Sequence, residues 1–307
     1  MKIKKIIIGS RGSKLALIYA EIARKKILNL KTKLQIRDIK IRIVKTIGDQ
    51  IQNKRLSDIG GKGLFSKKIE EQLLKKKIDI AVHALKDMPT KETKGLTTIC
   101  YLKRNDKREV LITRGKKTFN ELSNGSVIGT SSYRREFQLK QKRSDLKYKL
   151  IRGNVDTRIK KLDKKIYDGI ILSYAGIKFL GFENRVSQIF SSSDIIPSAG
   201  QGIIAVQCRK GDQRIIKVLK KINHKPTFYS GQAERRVLNI LDGDCETAIG
   251  VSSKIEKKNF FIEAELFSLD GKKRFYEKGK SNLNLVIKLG NKIGQRLKKK
   301  SKNSYKK

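Results

Sequence analysis

Cysteine, histidine and acidic residues are the scarce features of this 307-residue chain: three Cys, two His, and 29 Asp and Glu against 73 Lys and Arg. Cys100, Cys208 and Cys245 are odd in number and far apart, with no Cys-x-x-Cys pair, which argues against a disulfide framework or a zinc site. Such usage fits a reducing cytosol. His83 and His224 alone leave little material for a metal centre or a Ser-His-Asp triad, so no metal is expected. The opening Met1-Lys2-Ile3-Lys4-Lys5-Ile6-Ile7-Ile8 carries an apolar run far too short for a signal peptide. No stretch approaches a membrane span, so a cytoplasmic protein without a membrane partner is expected.

The shortage of acid leaves a net charge of +44, a sign that usually points to nucleic acid, anionic membranes or acidic ligands. Here lysine is spread along nearly every segment and isoleucine is abundant beside it, which is a compositional drift rather than a built patch. Only Arg296-Leu297-Lys298-Lys299-Lys300-Ser301-Lys302 is a concentrated basic run, and it reads as a solvated terminus. The field would still attract a polyanionic substrate.

What is present is an alternation of short apolar runs with amphipathic helices. Ile6–Ile8, Ile41–Ile47, Ile78–Val82, Val127–Gly129, Tyr148–Ile151 and Gly169–Leu172 read as strands. Helices are predicted after Ser13, over Phe65–Leu74, from Tyr133, from Val155 and after Ser173. Such alternation predicts parallel α/β sheets. After Pro226 the pattern changes: Phe261–Phe267 alternates at period two, Asp270-Gly271 signals a hairpin, and Val286, Leu289, Ile293 and Leu297 form a helical stripe. Two α/β domains and a smaller α+β domain follow.

Ligands of open parallel sheets bind beyond the carboxyl ends of the strands. Those positions here carry Arg11 and Ser13; His83 to Pro89; Thr130, Ser131, Ser132, Arg134 and Arg135; and Arg152 to Arg158. Arginine at these ends, in a chain otherwise dominated by lysine, favours a ligand with several carboxylates, since its planar fork binds them bidentately. Asp87 is the acid singled out among these loops. It could hold a developing cation or pass a proton, and it could equally be a salt-bridge partner of Lys86 or a turn residue before Pro89. His83 reads as a packed strand-end histidine. Gly60-Gly61-Lys62-Gly63 is not a phosphate-binding loop and reads as a lid or an ordinary loop. Gly200-Gln201-Gly202 formally opens a dinucleotide fingerprint, but it follows Pro197 rather than a strand and has no acidic partner about 20 residues on. Cys245 follows a helix that stops at Gly243; a thiol there can carry a covalent group, or can be a small buried filler.

Together these motifs resemble porphobilinogen deaminase, also called hydroxymethylbilane synthase, from Arg11-Gly12-Ser13-Lys14-Leu15-Ala16-Leu17 to about Gly250. The resemblance rests on Gly60–Phe65, His83–Pro89, Gly129–Arg135, Arg152–Val155, Gly200–Gly202 and the Cys245 segment. It implies two periplasmic-binding-protein-like α/β domains, 1–102 with 196–220 and 103–195, and a small α+β domain, 225–307. It implies a monomer that joins four porphobilinogen molecules, losing ammonia from each, into hydroxymethylbilane. The primer would be one dipyrromethane cofactor per chain, thioether-linked to Cys245. Asp87 would be catalytic. Lys86, Ser13, Thr130, Ser131, Ser132, Arg134 and Arg135 would bind the cofactor, Arg11, Arg152 and Arg158 the substrate, and Lys62 and Phe65 would belong to the lid. Asp244, Ala248 and Asp58 depart from the family's usual Gly, Pro and basic residue. A carboxylate at Asp244 is expected to raise the pKa of the thiol and slow its loading. Two other readings stand beside it: a nucleic-acid-binding protein, which would need a recognition motif the chain lacks, and a bilobal solute-binding module, against which the Cys245 segment argues.

Overall fold

The isoleucine-rich runs become the central strands of three sheets. The computed structural model describes residues 5–30, 36, 38–46, 48, 63–243 and 247–306. The first lobe contains β1 (Lys5–Ser10), α1 (Lys14–Leu28), β2 (Asp38–Ile43), α2 (Lys67–Leu74), β3 (Ile80–Ala84), a 3-10 turn at Leu85–Asp87, and β4 (Leu96–Tyr101). The chain then crosses to a second lobe of β5 (Glu109–Thr113), β6 (Val127–Gly129), α3 (Tyr133–Lys140), β7 (Lys147–Lys149), α4 (Val155–Asp163), β8 (Gly169–Ser173), α5 (Tyr174–Leu180) and β9 (Gln188–Ile189). It returns to the first lobe as β10 (Ile204–Arg209) and α6 (Gln213–Ile222). A third unit follows: α7 (Lys225–Leu241), β11 (Ile249–Glu256), β12 (Asn259–Phe267), β13 (Arg274–Asn282) and α8 (Val286–Ser301).

The two lobes share one strand order, β2-β1-β3-β10-β4 and β7-β6-β8-β5-β9. β1 pairs in parallel with β2 and β3, and β6 with β7 and β8. The parallel sheets expected from the sequence are mixed: β10 runs antiparallel to β3 and β4, and β5 antiparallel to β8 and β9. The cause is connectivity. A parallel neighbour needs a crossover of its own. β5 and β10 instead enter their sheets directly from the other lobe.

Each lobe buries its strands under its helices. Ile6, Ile8, Ile80 and Val82 pack on Ala20, Ala23 and Ile27, and in the second lobe Val110, Ile112, Ile170 and Leu172 pack with Ile159 and Leu162. In the third unit the stripe Val286, Leu289, Ile293 and Leu297 closes over Phe260, Ile262 and Ala264. At roughly 25 cal/mol per Å² of apolar area, burial of this kind is the main force holding each unit together. The hairpin turn falls at Gly271, where φ is +72°.

One buried carboxylate ties the crossing to the third unit. Glu234 on α7 is fully buried and accepts from Arg104 Nη1 and Nη2 at 2.6 and 3.2 Å. It also accepts from the backbone of Gly200 at 2.8 Å and of Ser253 at 3.0 Å. Among the described residues no helix is long and apolar enough to cross a membrane.

Candidate active site

The loops after β1, β3, β6, β7 and β8 converge on one cleft of about 570 Å³. It is lined by Arg11, Ser13, Phe65, Lys86, Asp87, Ser131, Ser132, Arg134, Arg135, Arg152 and Arg158, so most of the residues singled out from the sequence share one space. Thr130 does not line it. That side chain is fully buried, and its hydroxyl accepts from the Ser132 N–H at 3.2 Å, ordering the turn below the cleft. Lys62 and Cys245, with Asp58 and Asp244, lie outside the described residues. Gly243 and Thr247, on either side of the Cys245 segment, both line the cleft.

Local chemistry explains each placement. Ser13 caps α1, its Oγ accepting from the Ala16 N–H at 3.4 Å, and Ser132 caps α3 by accepting from the Arg135 N–H at 3.5 Å. These caps turn two helix N-termini, with their partial positive charge, toward the cleft. The Arg11 guanidinium lies over the Phe65 ring, 3.9 Å from its centroid. The turn carrying Asp87 is clamped from the third unit: Arg235 on α7 donates to the carbonyls of Met88, Pro89 and Thr90.

Asp87 is half-buried, and among the described residues its carboxylate makes neither a hydrogen bond nor an ion pair. The salt bridge to Lys86 considered from the sequence does not form. Lys86 Nζ donates instead to Gln201 Oε1 at 3.2 Å. Burial pushes the Lys86 ammonium down to about 8, with Asp87 opposing and Arg135 adding. Arg158 Nε donates to the Gly153 carbonyl at 2.8 Å. Burial lowers its guanidinium to about 10, helped by Arg135 and Arg152. Asp156 and Asp242 also line the cleft, but both are exposed, and Asp242 pairs with Lys91 at 3.6 Å. His83 is buried in β3. Burial holds its imidazole down to about 4, so it is neutral near pH 7. No cluster of metal-ligating side chains occurs among the described residues.

Two participants have no role assigned from the sequence. Glu109, the first residue of β5, is fully buried and accepts from Arg134 Nη2 at 2.6 Å and from Arg135 Nη2 at 2.8 Å. Burial alone would raise its carboxyl, but Arg135, Arg134 and Lys86 hold it at about 2. The remaining donors are partly spent on carbonyls, Arg134 Nη1 on Ile196 and Arg135 Nη1 on Ile171, both at 2.9 Å. Arg135 Nε is buried and has no partner among the described residues. The second participant is Gln201, fully buried, which receives Lys86 and donates to the Lys107 carbonyl at 2.8 Å. Its flanking glycines are steric. A Cβ on Gly200 would stand 2.8 Å from Leu85 Cγ, and one on Gly202 would stand 2.6 Å from the Asn105 carbonyl oxygen. Both also sit at positive φ.

A dipyrromethane offers four carboxylates and two pyrrole N–H groups. The cleft offers Arg11, Lys86, Arg152 and Arg158, two helix N-termini, the unused Arg135 Nε and the half-buried, uncommitted carboxylate of Asp87, with Asp156 more exposed, so its donors and acceptors suit that group. Ala248, which departs from the family's usual proline, is buried against Phe137 and Phe267.

The family described as porphobilinogen deaminase, dipyromethane cofactor binding domain, matches residues 6–217, and its C-terminal domain matches residues 228–299. Curated relatives named porphobilinogen deaminase include that of Syntrophomonas wolfei, 41% identical over 87% of this chain and 87% of the relative. That of Prochlorococcus marinus MIT 9215 is 39% identical over 96% and 92%, and that of Rickettsia bellii is 43% identical over 88% and 90%. The chain therefore belongs to the porphobilinogen deaminase family of tetrapyrrole-forming transferases, with two α/β lobes that hold a dipyrromethane cofactor and a small C-terminal domain.

Proposed function

We propose that Asp87 is the catalytic group of this hydroxymethylbilane-forming enzyme, with Arg11, Lys86, Arg152 and Arg158 holding the pyrrole carboxylates around it. The observation that carries the reading is the uncommitted, half-buried Asp87 carboxylate inside a ring of cations. When bound, the cofactor supplies a terminal pyrrole α-carbon as nucleophile. In each cycle the C–N bond of a porphobilinogen aminomethyl group breaks and ammonia leaves. With the cofactor in place, the freed methylene would be joined to that α-carbon, and the proton displaced there would need a base. Positive charge develops on the substrate pyrrole as ammonia departs. An Asp87 Oδ atom that accepts the pyrrole N–H stabilises that charge, and the same atom can take up the proton released after bond formation. The charge is worth most in a cleft shielded from water. Phe65, stacked on Arg11, contributes to that shielding. Ser13, Ser131 and Ser132 offer hydroxyls to the cofactor. Thr130 acts through the turn it orders, and Arg134 and Arg135 act as a platform fixed by Glu109.

Cys245 is the covalent attachment point in this reading, and Lys62 belongs with Phe65 to the cover. The domains divide as 1–102 with 196–220, 103–195 and 225–307. The enzyme works as a cytoplasmic monomer on a free small molecule, without a specific nucleic-acid or membrane partner.

Asp87→Asn tests the central role. The variant should fold, with a melting temperature close to that of the parent. Turnover per cofactor-loaded molecule should fall about 10²–10⁴-fold, the range for loss of a general acid–base group. Hydroxymethylbilane formation near the parental rate would remove Asp87 from the chemistry. Intact mass under denaturing conditions tests Cys245: the parent should carry one dipyrromethane, and Cys245→Ser should have the bare sequence mass.

A further inference from the structure

A second basic region shares no lining residue with the cleft. Two cavities of about 770 and 860 Å³ lie where the 103–108 crossing meets the third unit. Both contain Lys107, Ser192, Ser253 and Lys254, so they form one groove.

Its floor is the outer face of the three-stranded sheet. Phe260, Ile262 and Ala264 point into the core, so the alternation of β12 turns Phe261 and Glu263 outward. Register places Lys254, Phe261 and Lys280 on one rung, and Ser252, Glu263 and Lys278 on the next. The Lys254 and Lys280 ammonium groups stand 5.2 and 5.5 Å from the Phe261 ring centroid. Lys107 enters from the crossing, and its Nζ donates to Ser252 Oγ and to the Ser253 carbonyl, both at 2.7 Å. Among the described residues no carboxylate lies within ion-pair distance of Lys107. The acids nearby are already engaged. Asp106 binds Arg108, Glu263 accepts from the Tyr276 hydroxyl at 3.1 Å, and Glu256 makes an exposed pair with Lys254. Ser252 and Lys254 are two residues apart on one strand face, which sets the Lys107 contact and the Phe261 rung roughly 7 Å apart. Lys254 and Lys280 thus flank the ring and Lys107 and Lys278 lie at the next rung, which suits a planar ring bordered by several negative charges.

We propose that this groove binds a nucleoside polyphosphate, its base on Phe261 and its phosphates among Lys107, Lys254, Lys278 and Lys280. A phosphate chain alone would use the lysines and leave the aromatic face idle. The base adds stacking, and the ammonium groups add charge-assisted hydrogen bonds. A chain of +44 attracts anions everywhere, so the test has to separate a site from a field.

The cofactor-loaded protein is titrated calorimetrically with ATP and with inorganic triphosphate at physiological ionic strength. ATP should bind about tenfold more tightly than triphosphate, the contribution of one stacked base. Phe261→Leu should abolish that preference and leave triphosphate binding unchanged. Lys254→Gln combined with Lys280→Gln should weaken ATP about tenfold. Lys117→Gln with Lys164→Gln, exposed lysines of the second lobe, should change it less than about twofold, because distant charges are screened. Turnover of porphobilinogen by the Lys254/Lys280 variant should equal that of the parent, which separates this groove from the cleft. Equal weakening by the control pair would reduce the binding to bulk attraction and overturn the proposal. Equal affinity for ATP and triphosphate would overturn it too, as would a single-stranded oligonucleotide displacing ATP at lower concentration than ATP itself binds.

Discussion

The two lobes have the same strand order yet reach the cleft in opposite electrical states. The second lobe brings Arg134 and Arg135 already neutralised in part by Glu109, which starts the strand entering from the first lobe. The first lobe brings Asp87 and Lys86; among the described residues the Asp87 carboxylate has no partner, and the Lys86 ammonium donates to an amide alone. One lobe thus brings two arginines fixed as a platform, beside Arg152 and Arg158, and the other keeps Asp87 and Lys86 available to the ligand. A carboxylate meant for structure and one meant for chemistry differ here in commitment more than in depth.

The sharpest way to break that contrast is to exchange charge for amide on each side. Glu109→Gln leaves two buried guanidiniums facing a neutral acceptor and should cost about 3–5 kcal/mol of stability, read as a lower urea midpoint. Asp87→Asn should shift the same midpoint hardly at all while removing turnover. The sign of the acid response follows. Glu109 is held at about 2 against an ordinary value of 4.5. It therefore contributes stability that is present above pH 4.5 and fades as pH falls toward 2, roughly 3 kcal/mol in all. The Glu109→Gln variant should lack that portion of the acid unfolding. A variant as stable as the parent would dissolve the distinction between the lobes.

A second expectation concerns the crossing. Gly202→Ala drives a methyl against the Asn105 carbonyl at a φ of +78° and should destabilise by about 2 kcal/mol. It should also reduce turnover, because Gln201, the partner of Lys86, would move with it. Unchanged kinetics at lowered stability would disconnect the Gln201 loop from the site.

Much of this was open to the sequence reader. The apolar runs read as strands placed Arg11, Asp87, Arg134, Arg152 and Arg158 beyond strand ends, and these residues share the cleft. Glu109 stayed hidden because β5 is a five-residue run of Glu109-Val110-Leu111-Ile112-Thr113 with no helix beside it to mark a unit. An acid opening an apolar run in so basic a chain was its one signal. The second expected strand, Ile41–Ile47, lies at Asp38–Ile43, since pairing with Lys5–Ser10 sets its register and alternation alone does not. Gly243 was read as the helix stop, yet the left-handed residue is Asp242, at φ +51°. The glycines beside Gln201 suggested nucleotide binding and were set aside. Their reason is contact with Leu85 and Asn105, which no local pattern reveals.

Lys86 gives the contrast a pH axis. Its ammonium, pushed down to about 8 by burial, should bind porphobilinogen carboxylates below that value and release them above it. KM should climb about tenfold for each unit of pH above the midpoint, since only the protonated form binds. A bound carboxylate holds Lys86 in its charged form, so kcat should stay nearly constant over the range in which kcat/KM falls. Lys86→Arg, charged throughout, should flatten the profile. A flat parental profile would mean that Lys86 does not touch the ligand.

The smallest effect probes the cover. The Phe65 ring lies 3.9 Å from the Arg11 guanidinium carbon and over Gly48, where a Cβ would come within 2.4 Å of the ring. Phe65→Leu keeps the apolar bulk and deletes the cation–π contact, worth about 0.5–2 kcal/mol, while Phe65→Tyr keeps both. If the ring serves to hold Arg11 against a substrate carboxylate, Leu should raise KM about two- to thirtyfold with kcat nearly unchanged. If instead its service is to keep water from the reacting pyrroles, kcat should fall with KM unchanged. Only the first outcome keeps Phe65 within the first lobe's charge arrangement. The second would make it a lid residue, with Arg11 merely its support.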